Sequence, residues 1–397
     1  MRAPCLVVAT SGRLIAEALA AGGCTVDVLD AFADADCRAA ARCCTALPWS
    51  SATDPAPAAA PLEAATLAWA QAHPGGILLA GAGFEHRPAL LARLAAHLPL
   101  AGTRAPAVAR CKDPWQLAQA CAQRGLATPS LCRPGSQTAG GWLLRRTGAC
   151  GGAHLRTARP DDGDDGRQVW QRHTAGQAVS LLFHAGAGGT VALSWQHQYC
   201  APTPRQPWRF GGVLAVDPAD APWAPAIERA AHRLAGEFGL QGLNGLDALW
   251  DGGTLWVLEI NPRPPASFAL LPPAARAHWI CAHVATAGAA WHDADAATQE
   301  KDPGAGAAEA CAGGFARHAL NAGMAVVYAS TRLSIPADFR FPPGCHDLPV
   351  PPCTFGAGDP VCSVQTEAGG IEKLRARIGC LRERLLPLAG ADVLSSL

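Results

Sequence analysis

Lysine is nearly absent from this chain of 397 residues, which contains 29 arginines but only three lysines, Lys112, Lys301 and Lys373. Charged residues of either sign are also scarce, at 16% of the sequence, and the formal net charge is zero. Nucleic acids and anionic membrane surfaces attract proteins that present a strong positive field. The balanced charge gives no such field, so we expect neither as a partner.

Long apolar runs and paired cysteine motifs are also missing. No run approaches the roughly 20 apolar residues needed to cross a bilayer. The short N-terminal run leads into Gly12, Arg13 and a helical pattern, not a cleavage site, so we interpret it as a first strand. None of the 16 cysteines forms a CxxC motif, and most stand singly in apolar runs. This usage favours a reducing compartment, and we expect a cytoplasmic protein.

The first hundred residues alternate strand and helix patterns. Residues 4–10, 12–22 and 24–29 predict strand, helix and strand, an order that is typical of a parallel α/β sheet. A further buried strand at 75–84 precedes Glu85 and Arg87. Those two residues follow the strand at the edge where open α/β sheets bind ligands.

After the first hundred residues, the regular alternation of strand and helix patterns ends. Residues 113–125 predict a helix that Asp113 caps and Pro114 begins. Strand-like segments follow, interrupted by a helix at 223–238. Residues 286–315 are rich in Ala, Gly and Asp with few apolar anchors, and we interpret them as a linker. The tail contains strands, an amphipathic helix and the sequence HDLP at 346–349, which we expect to fix a turn.

Polar residues end the last strand before the linker. Two strand-like segments flank Asp-Gly-Gly at 251–253 and predict a β-hairpin. Because side chains alternate along a strand, we place Leu255, Val257, Glu259 and Asn261 on one face.

The length of the turn decides whether Asp247 joins that face. A three-residue turn at 251–253, with positive φ at Gly253, places Asp247 opposite Val257 on the same face. A two-residue turn at 252–253 places Asp247 on the other face. We predict the three-residue turn.

The three-residue turn brings two carboxylates and an amide oxygen together, from Asp247, Glu259 and Asn261. Hard oxygen ligands of this kind suit Mg²⁺, which completes its coordination with water and phosphate. Prolines on either side of Arg263 hold its guanidinium nearby. We therefore predict a metal site at this hairpin.

Asp247 followed by E-x-N-P-R at 259–263 resembles the ATP-grasp superfamily of carboxylate–amine ligases. The preceding segments stand in the order that this family shows, namely GFEHRPALLARLA, AGTRAPAVARCKDPWQLAQACAQRGLATP, GWLLRRTGACGGAHL and QRHTAGQAVSLLF. The tail resembles the closing subdomain of the carboligase-like branch. Within the superfamily, the chain is similar to ligases that make cofactors of one-carbon metabolism, such as the tyramine–glutamate ligase of methanofuran synthesis.

The resemblance implies an α/β and α+β fold in three parts, with a linker. These are an N-terminal parallel α/β domain over 1–104, a two-lobed ATP-grasp unit with antiparallel sheets over 105–285, the linker at 286–315 and a small α+β subdomain over 316–397. By this resemblance, the two lobes of the ATP-grasp unit would hold ATP between them.

The resemblance also implies which residues bind the nucleotide. Lys112 and Arg145 would hold the α- and β-phosphates, and a glycine-rich turn would offer backbone N–H groups to the β- and γ-phosphates. The implied nucleotide-binding residues are Lys112, Arg145, Gly148, Gly151, Gly152 and Gln171. Two positions depart from the family pattern. Arg145–Arg146 stands in place of Lys-Pro, which puts the catalytic rate in doubt more than nucleotide binding. Arg172 replaces an acidic residue, in a segment whose backbone at 171–174 would contact the adenine.

The implied reaction joins a carboxylate to an amine through an acyl phosphate and releases ADP. ATP and Mg²⁺, with Mn²⁺ as an alternative, are the implied cofactors, and Arg263 is the implied catalytic residue. Small-molecule carboxylate and amine substrates are the expected partners, and a homodimer stays open. Two alternatives also stay open, a non-catalytic nucleotide-binding module and a biotin-carboxylase-like carboxylase.

Overall fold

A computed structural model describes most of the chain, and the features below refer to the described residues. These are 2–48, 56–136, 140–149, 151–152, 154–288, 321–389 and 394–395. Of the predicted linker, only 286–288 lies within them, directly after a helix, and the rest lies outside the described residues. No helix in the described part of the chain is long and apolar enough to cross a membrane.

The N-terminal part is a five-stranded sheet in which every pairing is parallel, as predicted. Its strands are β1 Cys5–Val8, β2 Val26–Asp30, β3 Cys43–Ala46, β4 Ile77–Ala80 and β5 Leu100–Ala101, in the order β3-β2-β1-β4-β5. The helices are α1 Arg13–Ala21, α2 Ala35–Ala40, α3 Ala56–Ala72 and α4 Pro88–Leu94. Because β1 and β4 are buried neighbours, the loops that follow them meet at one edge of the sheet.

Two short helices connect this sheet to the rest of the molecule. They are α5 Ala105–Lys112 and α6 Pro114–Gln123. Asp113 lies between them, and its side chain accepts from the backbone N–H groups of Trp115 and Gln116, which confirms the predicted cap. The sequence did not predict α5. Lys112 is therefore the last residue of one helix as well as the residue before the cap of the next.

A four-stranded antiparallel sheet follows. Its strands are β6 Leu131–Cys132, β7 Trp142–Arg146, β8 Arg156–Thr157 and β9 Gln168–Arg172, in the order β6-β9-β7-β8. It is one of the antiparallel sheets that the resemblance implied.

A larger antiparallel sheet begins with β10 Gln177–Gly186, β11 Gly189–Cys200, β12 Phe210–Val216, β13 Gly242–Trp250 and β14 Leu255–Asn261. It is accompanied by α7 Ala224–Phe238 and α8 Pro273–Ala285, with 3-10 turns at Pro218–Asp220 and Ala266–Leu270. Ile227, Leu234 and Phe238 of α7 pack against Leu246 and other apolar side chains on one face of the sheet. Because side chains alternate, the neighbours of Leu246 on β13 point to the opposite face.

The tail continues this sheet instead of forming a separate one. Its elements are β15 Gly323–Ala329, β16 Leu333–Ile335, β17 Cys345–His346, β18 Cys353–Phe355, β19 Pro360–Thr366, α9 Gly370–Ala389 and β20 Leu394–Ser395. The order is β14-β13-β10-β11-β12-β15-β19-β17 in a sheet of nine strands, with β20 paired to β15. Strands β16 and β18 form a two-stranded sheet.

Candidate functional site

The β13–β14 hairpin contains a β-bulge that the sequence analysis did not predict. Ala248 pairs with Val257, and at the next step Asp247 pairs with Glu259, so Leu258 is an extra residue in β14. From the tip of the hairpin to the pair Ala248–Val257, the strands have the register that a two-residue turn produces. The predicted three-residue turn is therefore wrong. The extra residue places Asp247 opposite Glu259, not opposite Val257.

The bulge also changes which side chains of β14 share a face. Leu255, Val257 and Ile260 belong to one apolar core cluster. Glu259 and Asn261 alternate with Ile260 and therefore point to the opposite face. The prediction that all four residues share a face is wrong for Leu255 and Val257, because the extra residue reverses the alternation between them and Glu259.

The tip of the hairpin is stabilised by Asp251. Its Oδ1 accepts from Gly253 N at 3.0 Å and from Thr254 N at 2.7 Å. The positive φ of 101° occurs at Gly252, not at Gly253 where the prediction placed it. Residues 251–254 connect the strands in the register of a two-residue turn, and the bulge restores Asp247 to the face of Glu259.

Asp247 accepts hydrogen bonds from two amide side chains. Asn261 Nδ2 donates to its Oδ2 at 2.8 Å, and Gln198 Nε2 donates to its Oδ1 at 2.7 Å. Glu259 lies directly across the strand pair from Asp247. The structure therefore brings Asp247, Glu259 and Asn261 together on one face of two adjacent strands.

The chemistry of this donor set fits a divalent cation. Asn261 Oδ1 is buried and accepts no hydrogen bond from any described residue. Burial and the neighbouring charge of Glu259 raise the pKa of Asp247 to about 6. A cation at these oxygens would give the Asn261 oxygen a partner and would offset the repulsion between the two carboxylates.

Glu259 forms ion pairs with two cations from different parts of the chain. Lys112 Nζ contacts its Oε1, and Arg145 Nη2 lies 3.2 Å from its Oε2. The side chains of Lys112 and Arg145 are only 2% and 8% exposed. Burial acts to raise the pKa of Glu259, but the charges of Lys112 and Arg145 outweigh it and lower the pKa. Lys112 comes from α5 and Arg145 from β7, so both meet at the large sheet.

Arg145 makes two further hydrogen bonds. Its Nη1 donates to Gln171 Oε1 at 3.1 Å and to the backbone oxygen of Leu258, the bulged residue, at 2.9 Å. The Gln171 side chain thus orients Arg145, and its contact with a nucleotide stays a prediction. Arg172 is exposed, with its guanidinium 5.6 Å from the centroid of the Trp142 ring.

The glycine-rich turn adopts backbone conformations that favour glycine. Gly148, Gly151 and Gly152 have φ values of 75°, 73° and 70°. A Cβ on Gly148 would lie 2.7 Å from the Cα of His86, and one on Gly152 would overlap the backbone oxygen of Trp208. The turn is therefore packed between the loop after β4 and the loop before β12. Its contact with phosphates stays a prediction.

Arg263 contacts the N-terminal domain. Its Nε donates to Glu85 Oε1 at 2.5 Å, and Gly83 N donates to Glu85 Oε2 at 2.7 Å. Burial acts to raise the pKa of Glu85, but the charges of Arg263 and Lys112 lower it to about 2. Glu85 and Arg263 line a cavity of about 20 Å³ together with Thr103 and neighbouring apolar residues.

Gln198 and His154 belong to the site although the sequence analysis did not select them. Gln198 bonds Asp247, and His154, which follows the glycine-rich turn, adds to the charges that lower the pKa of Glu259. The polar alternation of Gln196 and Gln198 along β11 could have indicated the face that Asp247 occupies. His154 gave no signal apart from its position after the glycines.

Two other groups of potential metal ligands occur among the described residues. In the first, oxygens of Asp30 lie near the thiols of Cys37 and Cys44. Gly12 N and Ala33 N donate to the Asp30 carboxylate at 3.0 and 2.7 Å, so its oxygens already hold two backbone loops together. This arrangement has a structural explanation.

The second group, Glu17, Asp36 and His346, lies where the tail contacts the N-terminal sheet. Arg13 lies among these residues, with nitrogens 2.8 Å from Glu17 Oε2, 3.6 Å from Asp36 Oδ2 and 2.8 Å from Asp347 Oδ1. A guanidinium at this position repels a metal ion, so the group serves to dock the tail. His346 and Asp347 thus do more than fix a turn.

Comparison with known families agrees with this arrangement. Residues 111–267 match the family model described as the ATP-grasp domain. The matched segment contains Lys112, Arg145, the glycine-rich turn and the β13–β14 hairpin. This match supports the ATP-grasp resemblance for residues 111–267. No curated protein sequence matches the chain.

Solved structures confirm the predicted fold class. The biotin carboxylase domain of 2-oxoglutarate carboxylase from Hydrogenobacter thermophilus, solved with MgADP, ADP and bicarbonate, has a TM-score of 0.68 at 11% identity over 100% of this chain and 92% of that one. Rhizobium etli pyruvate carboxylase has a TM-score of 0.68 at 12% identity and 96% coverage, but this chain spans only 37% of that enzyme. An L-amino acid ligase from Bacillus licheniformis has a TM-score of 0.60 at 14% identity over 97% and 98% of the two chains.

Proposed function

We propose that the protein is an ATP-dependent ligase that joins a carboxylate to an amine through an acyl phosphate and releases ADP and phosphate. The observation that carries this proposal is the cluster around Glu259. Lys112 of helix α5 and Arg145 of strand β7 both form ion pairs with Glu259. Glu259 in turn lies beside Asp247 and Asn261. Phosphoryl transfer depends mainly on positioning and charge neutralisation, which such a cluster supplies.

Each group has a role in the proposed reaction. Lys112 and Arg145 hold the α- and β-phosphates of ATP, and the glycine-rich turn directs backbone N–H groups at the β- and γ-phosphates. Asp247, Glu259 and Asn261 would hold Mg²⁺ or Mn²⁺, whose charge offsets that of the phosphate oxygens.

Arg263 faces the reacting carboxyl group in this proposal. It either holds the carboxylate substrate or stabilises the oxyanion that develops when the amine attacks the acyl phosphate. The amine then displaces phosphate and forms the amide. The side chains of Lys112, Arg145 and Arg263 are largely buried, which strengthens each of these electrostatic contacts.

A carboxylase is the second candidate, because two of the three solved structures described above are carboxylases or their domains, and one of them was solved with bicarbonate. In that reaction bicarbonate would replace the organic carboxylate near Arg263. A non-catalytic nucleotide-binding module is the third candidate. It rests on Arg145 and Arg172, which stand where the family pattern has Lys and an acidic residue.

The substrate pair is the finer part of the proposal. The resemblance to ligases of one-carbon cofactor synthesis suggests glutamate as the carboxylate and tyramine among the amines. That suggestion rests on overall similarity of the sequence, so the test has to include other pairs.

The test is a screen of the purified protein with ATP, Mg²⁺ and pairs of carboxylates and amines. We expect ADP release that requires both substrates, with formation of the matching amide. Glu259→Gln should lose this activity, whereas Glu372→Gln, at an exposed site in α9, should keep it. ADP release with bicarbonate alone would favour the carboxylase. AMP release, or ATP binding without turnover under every condition, would contradict the proposal.

A further inference from the structure

Glu85 is a buried carboxylate that the proposed reaction leaves without a role. It lies in the loop after β4, at the carboxyl edge of the parallel sheet, and its side chain is 2% exposed. One oxygen accepts from Gly83 N in the same loop at 2.7 Å, which fixes the orientation of the carboxylate. The other accepts from Arg263 Nε at 2.5 Å. The carboxylate therefore connects a backbone loop of one domain to the side chain of another.

These contacts restrict the orientation of the Arg263 guanidinium. Nε is held by Glu85, and Nη1 donates to the backbone oxygen of Pro264 at 3.3 Å. A guanidinium is planar, so two contacts at different nitrogens set both its plane and its rotation. A long arginine side chain otherwise has many rotamers, and fixing them in advance removes an entropic cost from substrate binding.

The loop that carries Glu85 also touches the glycine-rich turn. A Cβ on Gly148 would lie 2.8 Å from the backbone oxygen of Glu85 and 2.7 Å from the Cα of His86. The backbone of this loop thus packs on the turn assigned to the phosphates, while its side chain holds Arg263. One loop of the N-terminal domain contacts both groups that the proposed reaction must align.

We infer that Glu85 is a positioning residue that orients Arg263 toward the carboxyl substrate. This inference rests on the proposed function, because it assigns the oriented guanidinium to that reaction. In this inference Glu85 does not touch the reacting atoms and acts on the carboxyl substrate through Arg263. A buried ion pair adds little net stability compared with apolar residues of the same size, so stability alone is a weak explanation for the pair.

The first experiment measures the orientation of Arg263 without using activity. The protein is labelled with ¹⁵N-arginine, and the Nε–H signal of Arg263 is assigned with Arg263→Lys. We expect Glu85→Gln to shift and broaden that signal. Glu63→Gln is the matched control, because it removes a carboxylate whose arginine, Arg93, is half exposed at the surface of the same domain. An Arg263 signal that does not change in Glu85→Gln would overturn the inference.

The second experiment uses ADP release and compares single and double variants. We expect Glu85→Gln to lower kcat with the carboxyl substrate by about 100-fold, as misplacement of a positioned group does, with little change in KM for ATP. In the Arg263→Ala background, Glu85→Gln should have no further effect. Equal additional losses in both backgrounds would overturn the inference. If Glu85→Gln does not fold, Glu85→Asp serves in its place, because it keeps the charge with a shorter reach.

The two experiments separate this inference from the proposed function. If the wild-type protein releases no ADP with any pair, the proposed function fails and the inference fails with it, even where the arginine signal shows an oriented side chain. If the wild type is active but Arg263 does not respond to Glu85, only the inference fails.

Discussion

At the residue scale, Glu259 contacts both the residues assigned to phosphate binding and those assigned to metal binding. It forms ion pairs with Lys112 and Arg145, and it lies opposite Asp247 in the hairpin. A carboxylate in this position links the groups assigned to phosphate with the groups assigned to metal. Removal of the Glu259 carboxylate should therefore affect both phosphate binding and metal binding.

We predict that Asp247→Asn and Glu259→Gln each reduce ADP release by at least about 100-fold, comparable to the loss of one preorganised electrostatic group. Each change removes a negative oxygen donor while keeping the size of the side chain. The measurement is turnover at saturating ATP and Mg²⁺, with circular dichroism to show that the fold survives. Wild-type rates in both variants would rule out the metal assignment.

Arg145→Ala should raise KM for ATP by about 10- to 100-fold, because hydrogen bonds to charged groups contribute about 1.5–3 kcal/mol. Arg145→Lys should recover part of this loss, since it keeps the charge but not the planar fork that also bonds Gln171 and Leu258. Nucleotide titration measures both. An unchanged affinity in Arg145→Ala would show that β7 does not contact phosphate.

The β13–β14 hairpin shows, at the element scale, how far the sequence could predict the site. Alternation correctly placed Glu259 and Asn261 on one face, because they are two residues apart in a strand. It could not predict the bulge at Leu258. The only trace of the bulge in the sequence is the spacing of the core residues of β14. Leu255 and Val257 are two residues apart, but Val257 and Ile260 are three apart.

Elements with clear apolar periodicity or a capping residue were the ones that the sequence predicted. The parallel sheet, α6 and its Asp113 cap followed from apolar periodicity and capping residues. Helix α5 was not predicted, although Pro106 in its first turn is compatible with the start of a helix. Contacts between segments distant in sequence, such as Glu85 with Arg263, could not be predicted, because no local pattern records them.

The capping of α6 gives a prediction about stability. Asp113→Ala should lower the free energy of unfolding by about 1 kcal/mol, because two backbone N–H groups lose their acceptor. Asp113→Asn should lose much less, since its side-chain oxygen can accept the same bonds. Urea denaturation followed by circular dichroism measures the difference. Equal losses in the two variants would show that the cap itself is unimportant.

At the scale of the whole molecule, specific contacts join the tail to the N-terminal domain. Arg13 at the start of α1 forms ion pairs with Asp347 in the tail, and Ser11 and Ser363 also donate to the Asp347 carboxylate. Asp36 accepts from the backbone N–H groups of Asp347 and Leu348 at 2.8 and 3.0 Å. The tail is thus docked on the N-terminal sheet through charged hydrogen bonds.

Asp347→Asn should reduce the free energy of unfolding by about 2 kcal/mol, because it weakens hydrogen bonds between charged groups. Burial acts to raise the pKa of Asp347, but Arg13 lowers it below its ordinary value. The stabilisation by this group is therefore complete above about pH 4, the unfolded pKa, and is lost as the pH falls through the lower folded pKa.

The measurement is the difference in unfolding free energy between wild type and variant across the acid range. We expect this difference to be constant at neutral pH and to shrink below about pH 4. The exposed Asp338→Asn serves as the control and should show no such difference. A wild-type advantage that does not depend on pH would show that the charge of Asp347 is not what docks the tail.

The continuity of the nine-stranded sheet bears on how such a protein can exchange parts with its relatives. Strand β15 pairs with β12 in the register Gly212↔Ala325, and a side chain at Gly212 would overlap the backbone of Met324. A tail taken from another gene would have to bring a strand that tolerates this close approach. We therefore expect a chimaera joined between β12 and β15 to fold only when its new tail strand leaves room for the backbone at Gly212.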